Sequence, residues 1–369
     1  METLAALEPS PFPVISLYLS LAPNQNGRES HDQFVRKVFS DRAKALPAES
    51  PERESFEKDA ERIRQYLGNE KQQSWQGLVI FACSGTGLFE AIPLETPFDD
   101  HWMFVGSSPH LYPLAKLVDT YPRYAAVSLD TNKARIQVFS LATAERAEQV
   151  VSDKTRRTSK GGWSQARYQR RADNVHTNHM KEVVEALGRI VREEKIDQIV
   201  IAGDDVAVAR LREQLPGELA DKIIDVVKLQ RNAQDASFLE ATFDAIRVKD
   251  AETDAEKVEE LLNEWQSGGL GVAGPEATLS AFELGQVDEL VITGSVESLK
   301  PVQKLPDAAP AAMQADTSAP ETGIDEDRLK LSAELIKLAQ QTSARVRFIE
   351  DATLLEEVGG VGALLRFRV

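Results

Sequence analysis

A single cysteine in 369 residues excludes an internal disulfide, and no cysteine cluster exists to hold zinc. That residue, Cys83, lies inside the apolar run Leu78–Cys83 and reads as part of a core rather than as a nucleophile. The same run is the longest apolar stretch in the chain, far short of the ~20 residues that cross a bilayer. The opening METLAALEPSPFPV lacks the basic region and long apolar stretch of a signal peptide, so the expected place of work is the cytoplasm. Positive charge is also scarce. Lys and Arg number 43 against 59 Asp and Glu, a formal net charge of -16. What remains is the composition of a soluble globular protein, 42% hydrophobic and 28% charged, long enough for two or three domains.

The scarce cations are concentrated. Lys154 to Arg171, KTRRTSKGGWSQARYQRR, carries seven of them (Lys154, Arg156, Arg157, Lys160, Arg167, Arg170, Arg171) and no acid. The remainder of the chain therefore sums to -23, seven more negative than the whole. Gly161 and Gly162 at the centre allow backbone conformations closed to other residues and a close approach of the main chain to a ligand. Ser164 is placed to cap a helix whose first turns present Gln165, Arg167, Arg170 and Arg171. A glycine tip on an arginine-studded helix suits nucleic-acid backbone. A solvated surface loop is the plainer reading of the same residues.

Along the chain, Phe12–Leu21 predicts a strand, Arg28–Leu46 a helix, and Ser50-Pro51 opens a second helix that Gly68 follows. Gly77–Ser84 and Gly87–Leu94 read as a hairpin, and a strand near Trp102–Val105 completes an α+β domain spanning residues 1–118. The middle domain, residues 119–250, begins with strand Tyr124–Asp130, a turn at Thr131-Asn132 and a returning strand Ala134–Leu141. The basic glycine loop (154–171) comes next, then a long helix with Val183, Val184, Leu187, Ile190 and Val191 at a 3.6-residue period. Strand Ile196–Ala202, helix Asp204–Leu215, strand Ile223–Leu229 and helix Asp235–Ile246 make this part α/β. The third domain, residues 251–369, starts with helix Ala255–Gln266. A helix from Pro275, strand Val287–Thr293, helix Arg328–Gln341, strand Arg345–Ile349, a short helix near Ala352–Val358 and a strand at Ala363–Phe367 follow. Leu305–Asp325 has no aromatic residue, Lys or Arg, and is expected to be a disordered insertion in that domain.

Other motifs carry less. Gly269 to Gly274 fits the dinucleotide pattern GxGxxG, but a helix ending at Trp265 precedes it where the motif needs a strand. The expectation is a turn leading into the helix at Pro275. His176 and His179 stand three residues apart with no third ligand spaced to join them, so neither a metal nor any other cofactor is assigned. Ser164 lacks the strand that delivers a nucleophilic serine.

GGWSQARYQRR followed by a long helix resembles the GGQ loop and helix of the eukaryotic and archaeal class 1 release factors. Gly161, Gly162, Ser164, Arg167 and Tyr168 fall on matching positions. Gly269–Val291 resembles the opening of the third domain of those factors, and Ala344–Phe367 its ending. Bacterial relatives of these factors, with kin among Pelota-type rescue proteins, look most similar. The resemblance implies a ribonuclease H-like middle domain and an L7Ae-like C-terminal domain. Two departures stand out: Trp163 occupies the position of the GGQ glutamine, and the first domain has no NIKS-like stop-codon tetrapeptide.

The resemblance implies a ribosome-associated protein that places its basic loop in the A site near the peptidyl-transferase centre, in rescue or hibernation. Its partners would be rRNA and the acceptor end of P-site tRNA, with a translational GTPase of the elongation factor class as a further one, rather than DNA or a membrane. Arg156, Arg157, Lys160, Trp163, Arg167, Arg170 and Arg171 would bind RNA. As an alternative, Gly161, Gly162 and Gln165 would serve hydrolysis of the peptidyl-tRNA ester. A ribonuclease working through carboxylates of the middle domain is a further alternative.

Overall fold

The computed structural model describes residues 1–23, 30–72, 74–130, 133–141, 143–151, 165–228, 235–302 and 325–368, and of residues 143–144, 165–173 and 235–236 the backbone alone. In chain order the first elements are α1 (Glu2–Ala5), β1 (Val14–Ser20), α2 (His31–Ala45), α3 (Pro51–Asn69), β2 (Gly77–Cys83), β3 (Leu88–Leu94), β4 (Trp102–Gly106) and α4 (Tyr112–Thr120). Next come β5 (Tyr124–Leu129), β6 (Lys133–Ser140), β7 (Thr143–Val151), α5 (Gln165–Glu193), β8 (Gln198–Gly203), α6 (Asp205–Arg212), α7 (Gly217–Ala220), β9 (Ile223–Val227) and α8 (Asp235–Gln266). The last are β10 (Gly271–Ala273), α9 (Pro275–Glu283), β11 (Val287–Thr293), α10 (Glu326–Gln341), β12 (Arg345–Ile349), a 3-10 turn (Ala352–Val358) and β13 (Val361–Leu365). Three sheets result, and the mixture of α+β and α/β layers agrees with the sequence reading.

Residues 1–120 and 253–369 form one compact unit holding two of the sheets, and residues 121–252 form the other. In the first unit the antiparallel order is β3-β2-β1-β4. The apolar side chains of α2 and α3, Phe39, Phe56 and Ile63 among them, bury against Ile15, Leu17, Leu78 and Ile80. Ser50 caps α3 by accepting a bond from the Arg53 amide at 3.1 Å, as its sequence signals. The helix runs through Gly68 and stops only at Glu70. The second sheet of this unit has the order β10-β13-β11-β12. Helix α4 ties the two sheets together. The Tyr112 hydroxyl donates to the Thr293 carbonyl at 2.7 Å, and its ring meets Phe348 edge-on at 5.2 Å. Asp119 accepts from the Phe348 amide at 3.0 Å.

In the second unit the order is β7-β6-β5-β8-β9, an antiparallel meander extended by parallel strands. Helices α5 and α6 cover one face, and Phe238, Ala245 and Ile246 of α8 cover the other. Two features differ from the expectations. β7, reading TAERAEQVV, has no apolar alternation and so gave no strand signal. The helices expected at Asp235–Ile246 and Ala255–Gln266 are one 32-residue helix, because the polar stretch between them contains neither Gly nor Pro to break it. The turn at 131–132 and residues 303–324 of the expected insertion lie outside the described residues; Asp325 caps α10 through the Asp327 amide at 3.2 Å.

His110 gives the fold a pH handle. Its ring lies against Phe104, centroids 3.8 Å apart, its amide donates to Ser16 Oγ at 2.9 Å, and burial pushes its pKa down from 6.5 to about 3. The unfolded chain therefore binds a proton that the folded chain refuses between these values. Stability from the neutral ring is full above about 6.5 and is lost as the pH falls toward 3. His110→Phe keeps the ring contact without the titration. In thermal melts from pH 7 to pH 4, wild type is expected to lose more stability than His110→Phe, and parallel losses would refute the assignment.

Candidate nucleic-acid interface

The 29 residues of α5 make a rod about 43 Å long, and its second half is rooted in the sheet. Met180, Val183, Val184, Leu187, Ile190 and Val191 bury against Ala125, Val127, Ile136, Val138 and Ile199 of the sheet. Among the residues whose side chains are described, burial begins at His179; Asn174 and Asn178 are exposed. Gln165, the first residue of the helix, therefore stands about 20 Å along the axis from that root. At about 100° per residue, positions 167 and 171 fall on the side opposite the apolar stripe and 170 on its flank.

The two elements flanking the basic segment are β7, ending at Val151, and α5, beginning at Gln165. Arg156, Arg157, Lys160, Gly161, Gly162, Trp163 and Ser164 lie outside the described residues. Gln165, Arg167, Arg170 and Arg171 are described as helix backbone.

A group of charges that the sequence reading did not anticipate joins the opposite end of α5 to β7. Arg189 Nη2 donates to both carboxylate oxygens of Glu148, at 2.6 and 2.7 Å. Arg146 Nη1 donates to Glu193 and Glu194, each at 2.9 Å. Arg123 Nη2 reaches Glu145 at 2.7 Å and Glu194 at 2.8 Å. The hydrogen bond from Arg146 holds the Glu193 carboxyl below the usual range. The bonds it donates to Glu193 and Glu194 hold Arg146 above its own, and those donated to Glu148 do the same for Arg189. Only the Arg189–Glu193 spacing, i to i+4, was readable as a pair.

The remaining motifs have structural explanations. The amides that a pyrophosphate would need at Gly269–Gly274 are already bonded: Gly269 N–H to the Glu264 carbonyl at 2.7 Å, Gly274 N–H to the Val361 carbonyl at 2.8 Å, and Leu270 N–H to the Glu264 carboxylate at 2.7 Å. A Cβ on Gly271 would sit 2.6 Å from the Trp265 nitrogen, so close packing on the end of α8 requires that glycine. Helix α8 precedes the run and the expected turn contains the short strand β10. His179 is buried, neither ring nitrogen has a hydrogen-bond partner, and burial lowers its pKa. Among the described residues no three His, Cys, Asp or Glu side chains are grouped as a metal would require, so the ribonuclease alternative has no described carboxylate cluster.

If the root of α5 holds the arm, trimming it should destabilise the unit as a core deletion does. Leu187 is fully buried, and Leu187→Ala is expected to cost about 2–5 kcal/mol. Chemical denaturation measures this, and a loss below about 1 kcal/mol would contradict a rooted helix.

Residues 109–247 match the model of Bacterial archaeo-eukaryotic release factor family 10, and residues 251–369 match that of eRF1 domain 3. Peptide chain release factor subunit 1 of Thermococcus kodakarensis is 22% identical over 346 residues, covering 84% of this chain and 83% of the relative. The eukaryotic peptide chain release factor subunit 1 of Cryptosporidium hominis is 23% identical over 289 residues, 70% of this chain and 67% of the relative. Among solved structures, a ribosome-bound archaeal Pelota aligns over 100% of this chain and 93% of its own at 12% identity, with a TM-score of 0.44. With family matches in tandem along its middle and C-terminal segments, the chain is a relative of the archaeo-eukaryotic peptide chain release factors, of the bacterial branch that the middle match describes.

Proposed function

We propose that this protein is a ribosome-associated, release-factor-like factor in translation or in rescue of stalled ribosomes, and that it carries its basic Gly-Gly loop into the A site near the peptidyl-transferase centre. The observation that carries the proposal is the arm. The second half of a long helix is anchored in an acidic protein, and the basic run leads into that helix's first turns. The similarity to release factors along most of the chain supports the same reading. Arg156, Arg157, Lys160, Arg167, Arg170 and Arg171 hold RNA by phosphate contact, and Trp163 stacks on an unpaired base. A translational GTPase is the proposed carrier to the ribosome.

Salt tests the electrostatic part. Neutralising about five phosphates of single-stranded RNA gives a slope near -3.5 in log K against log salt, so fourfold more salt weakens binding about a hundredfold. Arg167→Glu, Arg170→Glu and Arg171→Glu together are expected to flatten the slope and abolish cosedimentation with 70S particles. Unchanged cosedimentation of that triple variant would leave the run as a solvated surface.

Trp163, standing where the relatives' GGQ motif has glutamine, favours occupancy of an idle or stalled A site, as in hibernation. In the alternative, hydrolytic reading, Gly161 and Gly162 bring the main chain to the ester of peptidyl-tRNA and a backbone N–H near Trp163 donates to the leaving ribose oxygen. Gln165 orders the water there. Such a donor is worth on the order of 100 to 1000-fold in rate. Release of labelled peptide from stalled complexes, beside cosedimentation, separates the readings. Under hydrolysis, Gly162→Val costs far more release than Trp163→Ala, and Gln165→Ala costs up to a few hundredfold. Under occupancy, wild type binds without releasing peptide and Trp163→Ala is the most damaging, by about 1–3 kcal/mol of RNA binding.

A further inference from the structure

Strand β7 leads into the basic segment, yet hydrophobic burial does little to hold it. Among the described residues it pairs with β6 alone, and none of its side chains from Glu145 to Val151 is buried. Val150 makes partial contact with the core, and Val151 is 54% exposed. A strand so poorly anchored would swing about its hydrogen-bonded edge, because edge pairing without a buried face specifies position weakly. What it has instead is charge. Arg146 and Glu148 sit two residues apart on β7 and therefore on one face of the strand. Both reach the last turns of α5 at Arg189, Glu193 and Glu194. Arg123, just before β5, closes the group through Glu145 and Glu194.

Most members are shared. Glu194 accepts from Arg123 and Arg146, Glu193 faces Arg146 and Arg189, and Glu148 lies near Arg189 and, at 3.7 Å, Arg146. Single exposed ion pairs contribute little, but shared partners in a network fix geometry better than isolated ones. The pairing also joins opposite ends of the arm's frame, since β7 departs toward the basic segment and α5 returns from it.

We infer that the charges of Arg123, Arg146, Arg189, Glu145, Glu148, Glu193 and Glu194 form a positioning clamp that locks the exit of β7 to the root of α5 and so sets the direction in which the arm is presented. These are positioning residues, acting on RNA only through the arm. The consequence for ribosome binding rests on the proposed function; the locking of β7 does not.

Spin labels on Val151→Cys and Glu213→Cys, two exposed positions of the same unit, read the exit of β7; Cys83 is fully buried and stays in place. Arg146→Gln with Glu148→Gln removes the two β7 charges that reach α5, and Arg146→Lys with Glu148→Asp keeps them. The neutral pair is expected to broaden the 151–213 distance distribution, and the charge-keeping pair to restore most of its sharpness. Should the productive direction fall to about a tenth of the population, cosedimentation of unlabelled protein with 70S particles weakens about tenfold. An unchanged distance distribution in the neutral pair, with a wild-type melting temperature, overturns the clamp whatever the ribosome assay shows. Wild type that fails to cosediment refutes the proposed function instead, and the spin-label result still decides the clamp.

Discussion

The contact on which the rest depends is the burial of Met180 through Val191 beneath β5, β6 and β8. A fully buried side chain of this kind contributes about 1.5–3 kcal/mol. Six of them on one face over about three turns fix the second half of α5 against the sheet. The first half continues the same helix, and extending an existing helix costs far less than nucleating one. Root and arm are therefore a single element, and the position of the arginines' backbone follows from the packing of apolar residues roughly two and a half to seven turns away.

That geometry bears on the charge distribution. At physiological ionic strength the screening length is about 8 Å. Positions 167 to 171 stand roughly 12–18 Å along the axis from the root, beyond that length. Under the proposed function, a polyanion approaching these positions meets cations while repulsion from the acids around the root is already damped. The chain can thus stay strongly acidic, which favours solubility, and still present a cationic end.

Much of the architecture was written in local patterns. Ser50-Pro51 opens α3, the Gly85-Thr86 turn separates β2 from β3, and the period of Val183–Val191 marks the buried face of α5. The misses have physical causes. β7 carries charge where strand recognition relies on apolar alternation, and its neighbours hold it by pairing and by arginine. The continuity of α8 was hidden because a polar stretch resembles a linker unless the absence of Gly and Pro is weighed. The joining of the two sheets in the first unit rests on Tyr112 and Asp119 bonding to main-chain atoms more than 170 residues away, which no local pattern encodes. At the interface, composition alone exposed the basic run. The clamp did not show because its partners belong to three elements.

Two glycine-rich runs show why neighbours, rather than glycines, decide the chemistry. Around Gly269–Gly274 the Glu264 carboxylate already accepts the Leu270 amide, and Gly271 is small because the end of α8 lies against it. An anion entering there would displace a carboxylate from its donor and face the acids of α8, losing on both counts. Around Gly161 and Gly162 seven cations stand without a single acid. That charge pattern is the one the proposed phosphate binding requires, since cations release counterions when they meet a phosphate. The same small residue serves internal packing in the first run and suits external recognition in the second, and the sign of the surrounding charge separates the two.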